Sequence, residues 1–139
     1  MKGTVMGCKT LGRFVFDSPT VVAVNADGNI PVTNATVTTD CLESDGFNIT
    51  INKCGTYLVC VNLTHSATAA GTIETQLFRN GMAIPGAHAL DIEAAAGNNV
   101  SQAFNALITV PRSGGTVLNV RALTATSIRV ANVLVVKVA

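Results

Sequence analysis

Residues 127–138 alternate between two faces, and neither face is polar through its middle. One set of alternate positions holds Ile128, Val130, Asn132, Leu134, Val136 and Val138; the other holds Arg129, Ala131, Val133, Val135 and Lys137. Residues 56–64 behave similarly, with Tyr57, Val59, Val61 and Leu63 opposing Leu58, Cys60, Asn62 and Thr64. Residues two apart share one face of a strand, and a sheet with one wet face pairs an apolar set with a polar one. Two largely apolar sets call for cover on both sides. A second sheet of the same chain supplies one cover. The other is most economically another copy, because the chain has no helices to spare. Val, Thr and Ile number 18, 17 and 8, so 43 of 139 residues are β-branched. Such side chains suit a pleated surface better than a helix, and an all-β domain follows.

The charge content agrees with a covered surface. Lys and Arg number 9, Asp and Glu 8, and together they make up 12% of the chain. That is about half the usual quarter. Permanent interfaces are depleted in charge. The net charge of +1 supplies no basic face for nucleic acid, and the hydrophobic content excludes a disordered tail. The uncharged stretch 54–73 is broken by Gly55, Asn62 and His65, so no membrane span is expected. The stretch Met1–Cys8 lacks the apolar core of a signal peptide, which predicts synthesis in the cytoplasm without export. The length suits one domain. Residues 1–12 are the least patterned and are predicted to form an N-terminal arm; residues 13–139 form the domain.

Turn signals recur along the chain at Asp27-Gly28, Asp45-Gly46, Asn80-Gly81, Gly97-Asn98 and Gly114-Gly115. The runs between them predict strands near 20–24, 30–33, 35–39, 47–51, 56–66, 72–79, 82–92, 100–110, 116–124 and 127–138. The firmest element is the hairpin at Asn80-Gly81, a dipeptide that a type I′ turn favours.

The order of these segments resembles that of a known superfamily. Phe47-Asn48-Ile49-Thr50-Ile51 followed by Gly55-Thr56-Tyr57-Leu58-Val59 is similar to a strand pair of TNF-like jelly rolls of the complement-type globular head. Leu77-Phe78-Arg79-Asn80-Gly81 resembles that superfamily's hairpin. Leu107-Ile108-Thr109-Val110 with Gly114-Gly115-Thr116-Val117-Leu118 resembles a later strand pair, and Ser127 to Val135 sits where its closing strand lies. Gly115 stands where the pattern has Asp, and Asn132 where Gly is usual. The 139 residues contain no collagen-like Gly-x-y run, and aromatics are only 4%. These departures point to a compact bacterial or phage branch. The resemblance implies a two-sheet antiparallel jelly roll of about ten strands that closes as a homotrimer, with sheets packed around the axis. On this reading Tyr57, Val59, Val61, Leu107, Ala131, Val133 and Val135 line the oligomer interface.

Chemistry is sparse. Cys8, Cys41, Cys54 and Cys60 match no zinc or redox spacing. Cys41 and Cys54 are able to pair if their strands neighbour, though a reducing cytosol favours free thiols. His88, Asp91 and Glu93 resemble a metal cluster in sequence, but parity places His88 opposite the two acids. Asp40, Glu43 and Asp45 crowd one loop without the alternation of a calcium site. Arg121 and Arg129 fall inside apolar strands and call for partners, Glu74 and Asp91 being candidates. No nucleophile motif or phosphate loop is present.

The resulting expectation is a non-enzymatic structural trimer without cofactor or metal. It is placed on the outside of a phage virion as a capsid decoration, head fibre or knob. Its partners are its own copies and, through the N-terminal arm, other virion or surface-layer proteins; nucleic acid and membrane are not among them. The alternative is a trimeric receptor- or glycan-binding head on a bacterial surface or spore-coat filament.

Overall fold

The computed structural model describes residues 10–139, in which every regular element is a strand. In chain order these are β1 (Leu11–Val24), β2 (Gly28–Asn29), β3 (Asn34–Thr38), β4 (Leu42–Ser44), β5 (Ile49–Ile51), β6 (Gly55–Ser66), β7 (Gly71–Arg79), β8 (Met82–Glu93), β9 (Asn99–Val110), β10 (Thr116–Ala122) and β11 (Thr126–Lys137). They form two antiparallel sheets, β3-β1-β11-β6-β9 and β4-β5-β10-β7-β8, with β2 beside β10. Sequence neighbours often lie in different sheets, the crossing that makes a jelly roll rather than a meander. The all-β, two-sheet class is therefore as expected, with eleven strands in place of about ten.

The Asn80-Gly81 turn forms as its residues dictate. Asn80 has φ +49° and Gly81 φ +81°, the left-handed pair that a type I′ hairpin requires and that these two residues tolerate. Three expectations along the chain are revised. The stretch expected to be one acidic loop contains β4, in which Glu43 pairs with Thr50. The strand placed at 30–33 is not one. Ile30 and Val32 are buried in the core, but only the adjoining Gly28–Asn29 pairs with β10, and the Ile30 amide donates to Val120 O at 2.8 Å. The first strand begins well before residue 20. Leu11 pairs with Val136 and Phe14 with Val133, and the register then slips between Asp17 and Val22. Pro19, which has no N–H to give to a ladder, lies within that slip. β1 thus takes in Leu11 and Gly12, which were assigned to the arm; residues 1–9 of that arm lie outside the described residues.

The core lies between the sheets. Phe14, Tyr57, Val59, Val61 and Val133 from the five-stranded sheet share one buried cluster with Ile49, Ile51, Leu77 and Leu118 from the other. Fully burying such a side chain contributes about 1.5–3 kcal/mol each. Tyr57 keeps its hydroxyl satisfied by donating to Lys53 O at 2.7 Å, and burial holds that phenol protonated by raising its pKa.

Candidate self-association face

The inward set of β6 is Tyr57, Val59, Val61, Leu63 and His65. The inward set of β11 is Ala131, Val133 and Val135, joined by Ile128 across a bulge between Ile128 and Val130. A bulge adds a residue and shifts parity, so Ile128 changes sides relative to an unbroken strand. Six of the residues assigned to the oligomer interface, Tyr57, Val59, Val61, Ala131, Val133 and Val135, are consequently buried between the sheets of a single chain, at 1% exposure or less. They have no surface to offer a neighbour. Leu107 is the exception, at 67% exposed.

The outward set carries the open face. Register places side chains in rows across β1, β11, β6 and β9. The first row is Leu11, Val136, Leu58 and Leu107, and the second is Arg13, Leu134, Cys60 and Asn105. The third is Val15, Asn132, Asn62 and Ala103; the fourth is Asp17, Val130, Thr64 and Ser101. One end of this sheet is therefore a continuous apolar strip, and the opposite end is polar. Val37, opposite Arg13 on β3, widens the apolar end and is 50% exposed. At the polar end Arg13 Nε donates to Asn132 Oδ1 at 3.1 Å, so the guanidinium is oriented along the sheet.

Leu107 also joins this face to a groove of about 450 Å³ along the β8–β9 side, lined by Arg79, Met82, Ile84 and Pro85. Met82 in its wall is 74% exposed. An apolar face and a neighbouring apolar edge are two different patches. A heterologous contact, in which patch one of each copy meets patch two of the next, needs such a pair and closes into a ring when the rotation permits. Apolar continuity of this kind is unusual on a surface that water alone covers.

The remaining candidates disperse. His88 Nε2 lies 2.6 Å from Glu74 Oε2 on the outer face of the six-stranded sheet. An ionised carboxylate only accepts, so the ring nitrogen donates. Asp91 projects inward instead, as parity predicts. In the acidic loop Asp45 accepts from the Asn48 amide, the Asn48 side chain and the Phe47 amide. The Asn48 hydrogen bonds, with that of Phe47, hold its carboxyl below the ordinary range. Glu43 is engaged by Asn52 Nδ2 at 3.2 Å, so the acids do not converge. Arg121 and Arg129 meet no carboxylate among the described residues. The guanidinium of Arg121 stacks over Phe78 at 4.0 Å, and Arg129 Nε donates to Ser18 O at 2.9 Å.

No protein-family model matches the sequence, and no curated protein matches it at a significant level. Solved structures do. Murine APRIL superposes with a TM-score of 0.68 at 12% identity, covering 94% of this chain and 99% of the other. The globular domain of zebrafish complement 1qA gives 0.63 at 10% identity, covering 91% and 94%. Eiger TNF from S. frugiperda gives 0.64 at 17% identity, covering 94% and 93%. At such identities the likeness is one of fold, and the fold is a TNF-like jelly roll.

Proposed function

We propose that this chain is a non-enzymatic structural module that assembles with two further copies of itself on the outside of a phage virion, as a capsid decoration, head fibre or knob. The observation that carries the assembly is the apolar strip Leu11, Val136, Leu58 and Leu107 on the outer face of the five-stranded sheet. Three copies cover that strip only by burying it against one another, and a stable contact needs roughly 1,000 Å² in total. The threefold arrangement is the one implied by the resemblance to TNF-like heads. A structural duty is favoured over receptor or glycan capture by the loops at the His65 end. Residues 67–70 and 94–98 contain only Ala, Thr, Gly and Asn, whereas recognition surfaces are anchored by aromatic and Arg side chains. The two histidines sit on different faces, one inside and one outside, which supports a non-catalytic role.

Immunogold electron microscopy on phage particles purified from cells carrying this gene tests the location. Gold on the particle exterior is the expected result. Intact particles without label, with the protein confined to the soluble fraction, overturn the virion assignment.

A further inference from the structure

A layer of polar side chains interrupts the core near one end. His65 on β6, Gln102 on β9, Thr75 on β7 and Thr126 on β11 are all buried, His65 fully so. On one side of the layer lies the main apolar core. On the other, Ala67, Ile73 and Val100 form a separate cluster of three. The two loops beyond them are tied by Ala67 N donating to Asn98 O at 2.9 Å and Gly97 N to Ala67 O at 2.8 Å. This cluster is far smaller than the main core, so closure of this end rests on the polar layer as well as on apolar burial.

The layer is knit around Gln102. Thr75 Oγ1 donates to Gln102 Oε1 at 2.6 Å. Gln102 Nε2 donates to Ile73 O at 3.1 Å and to Asp91 Oδ2 at 2.9 Å, which occupies both amide hydrogens. His65 Nδ1 lies 3.0 Å from Thr126 Oγ1, and its Nε2 has no hydrogen-bond partner. A neutral ring leaves one weak polar atom unmatched there. An imidazolium has donors at both nitrogens, so protonation sets a charged N–H in the interior at a nitrogen that makes no hydrogen bond in the closed structure, a more costly arrangement.

We propose that this end of the sandwich is an acid-sensitive latch: protonation of His65 parts β7 and β8 from β6 and β9 around residues 67–70 and 94–98, while the rest of the jelly roll stays closed. Asp91, inward-facing on β8, is the charged group turned toward the layer, and Glu93 occupies the next inward position at the rim. β7 contributes Ile73 and Thr75, β9 contributes Val100 and Gln102, and β11 contributes Thr126 and Ile128, all neutral; Glu74 and His88 face outward. Burial holds the His65 imidazole below its ordinary 6.5, opposed by the neighbouring Gln102 amide and the Asp91 carboxylate. The sign follows. Well above pH 6.5 the ring is neutral whether the end is open or closed, and opening does not depend on pH. Below 6.5 the opened ring binds a proton that the closed one resists, so opening grows until pH passes the depressed value. For a single imidazole the gain from pH 7.5 to 5.5 is at most about tenfold. The latch belongs to the single chain and does not depend on association.

Hydrogen exchange of the full chain, corrected for intrinsic rates, tests this at pH 7.5 and 5.5. Protection in residues 65–75 and 91–102 is expected to fall several-fold at pH 5.5, toward the limit of about tenfold, with Ile49–Ile51 and Leu118–Val120 unchanged. His65→Gln, which keeps polar contacts but does not titrate, loses the difference. Asp91→Asn enlarges it by removing the carboxylate that eases protonation. Equal protection at both pH values, or the same loss in His65→Gln, overturns the latch. Should His65→Gln fail to fold, the His88→Asn chain retains His65 as its one imidazole, and NMR titration decides. A value below 6.5 supports the latch, and one at or above 6.5 overturns it.

Discussion

Val59→Asp is expected to leave no cooperatively folded protein. Val59 is 0% exposed, in the middle of β6 between the two sheets. It belongs to the apolar cluster between the sheets. A buried carboxyl without a partner costs several kcal/mol, whether it stays ionised or takes up a proton and remains an unsatisfied polar group. The lost burial of Val adds roughly 1.5–3 kcal/mol. Together these approach the whole stability of an ordinary domain, about 5–15 kcal/mol. Circular dichroism and urea denaturation read the outcome as a loss of the β signal and of the unfolding transition. The same experiment separates core from interface for Tyr57, Val61, Ala131, Val133 and Val135, which share Val59's side of the sheet.

Leu107→Asp is expected to have the opposite consequence, a folded chain that no longer associates. Leu107 is two-thirds exposed in the single chain, so a carboxylate there remains hydrated and the fold stands. In the assembly that carboxylate would be buried once in every contact between copies. Truncating or mispairing a buried interfacial charge typically costs about 2–5 kcal/mol per contact, and a closed trimer repeats the contact three times. At micromolar concentration the product should sediment at the single-chain mass of 14.3 kDa, with the unfolding transition of the unsubstituted domain retained. A Leu107→Asp protein that kept its association would locate the contact elsewhere.

The contrast between Val59 and Leu107 marks how far the sequence was legible. Alternation in 56–66 and 127–138 reveals two apolar faces, and turn residues such as Asn80-Gly81 divide the chain into strands most of which the fold keeps, 30–33 excepted. Which face meets the chain's own second sheet is a different question, because apolar content alone does not distinguish a core from an interface. A clue was available in Asn62 and Asn132, which pair across the sheet. An amide is easier to accommodate at a partly wet interface than in a sealed core, so the set containing them is the outer one. The bulge at Ile128/Val130 left no trace in composition, since it inserts a residue without changing the kinds of residue present. His65 continues the alternation of Tyr57, Val59, Val61 and Leu63, a set of which the first three were assigned by sequence to the interface, and the structure carries the whole set into the core. The residues of its layer, Gln102, Thr75 and Thr126, come from three other strands, and only the folded register brings them together.

The central claim is that the apolar strip from Leu11 to Leu107 is covered by sister chains. Multi-angle light scattering of the purified, unsubstituted protein at micromolar concentration measures this most directly. The expected mass is three times the 14.3 kDa of the chain. A single species at 14.3 kDa, stable and soluble with that strip in water, would contradict it.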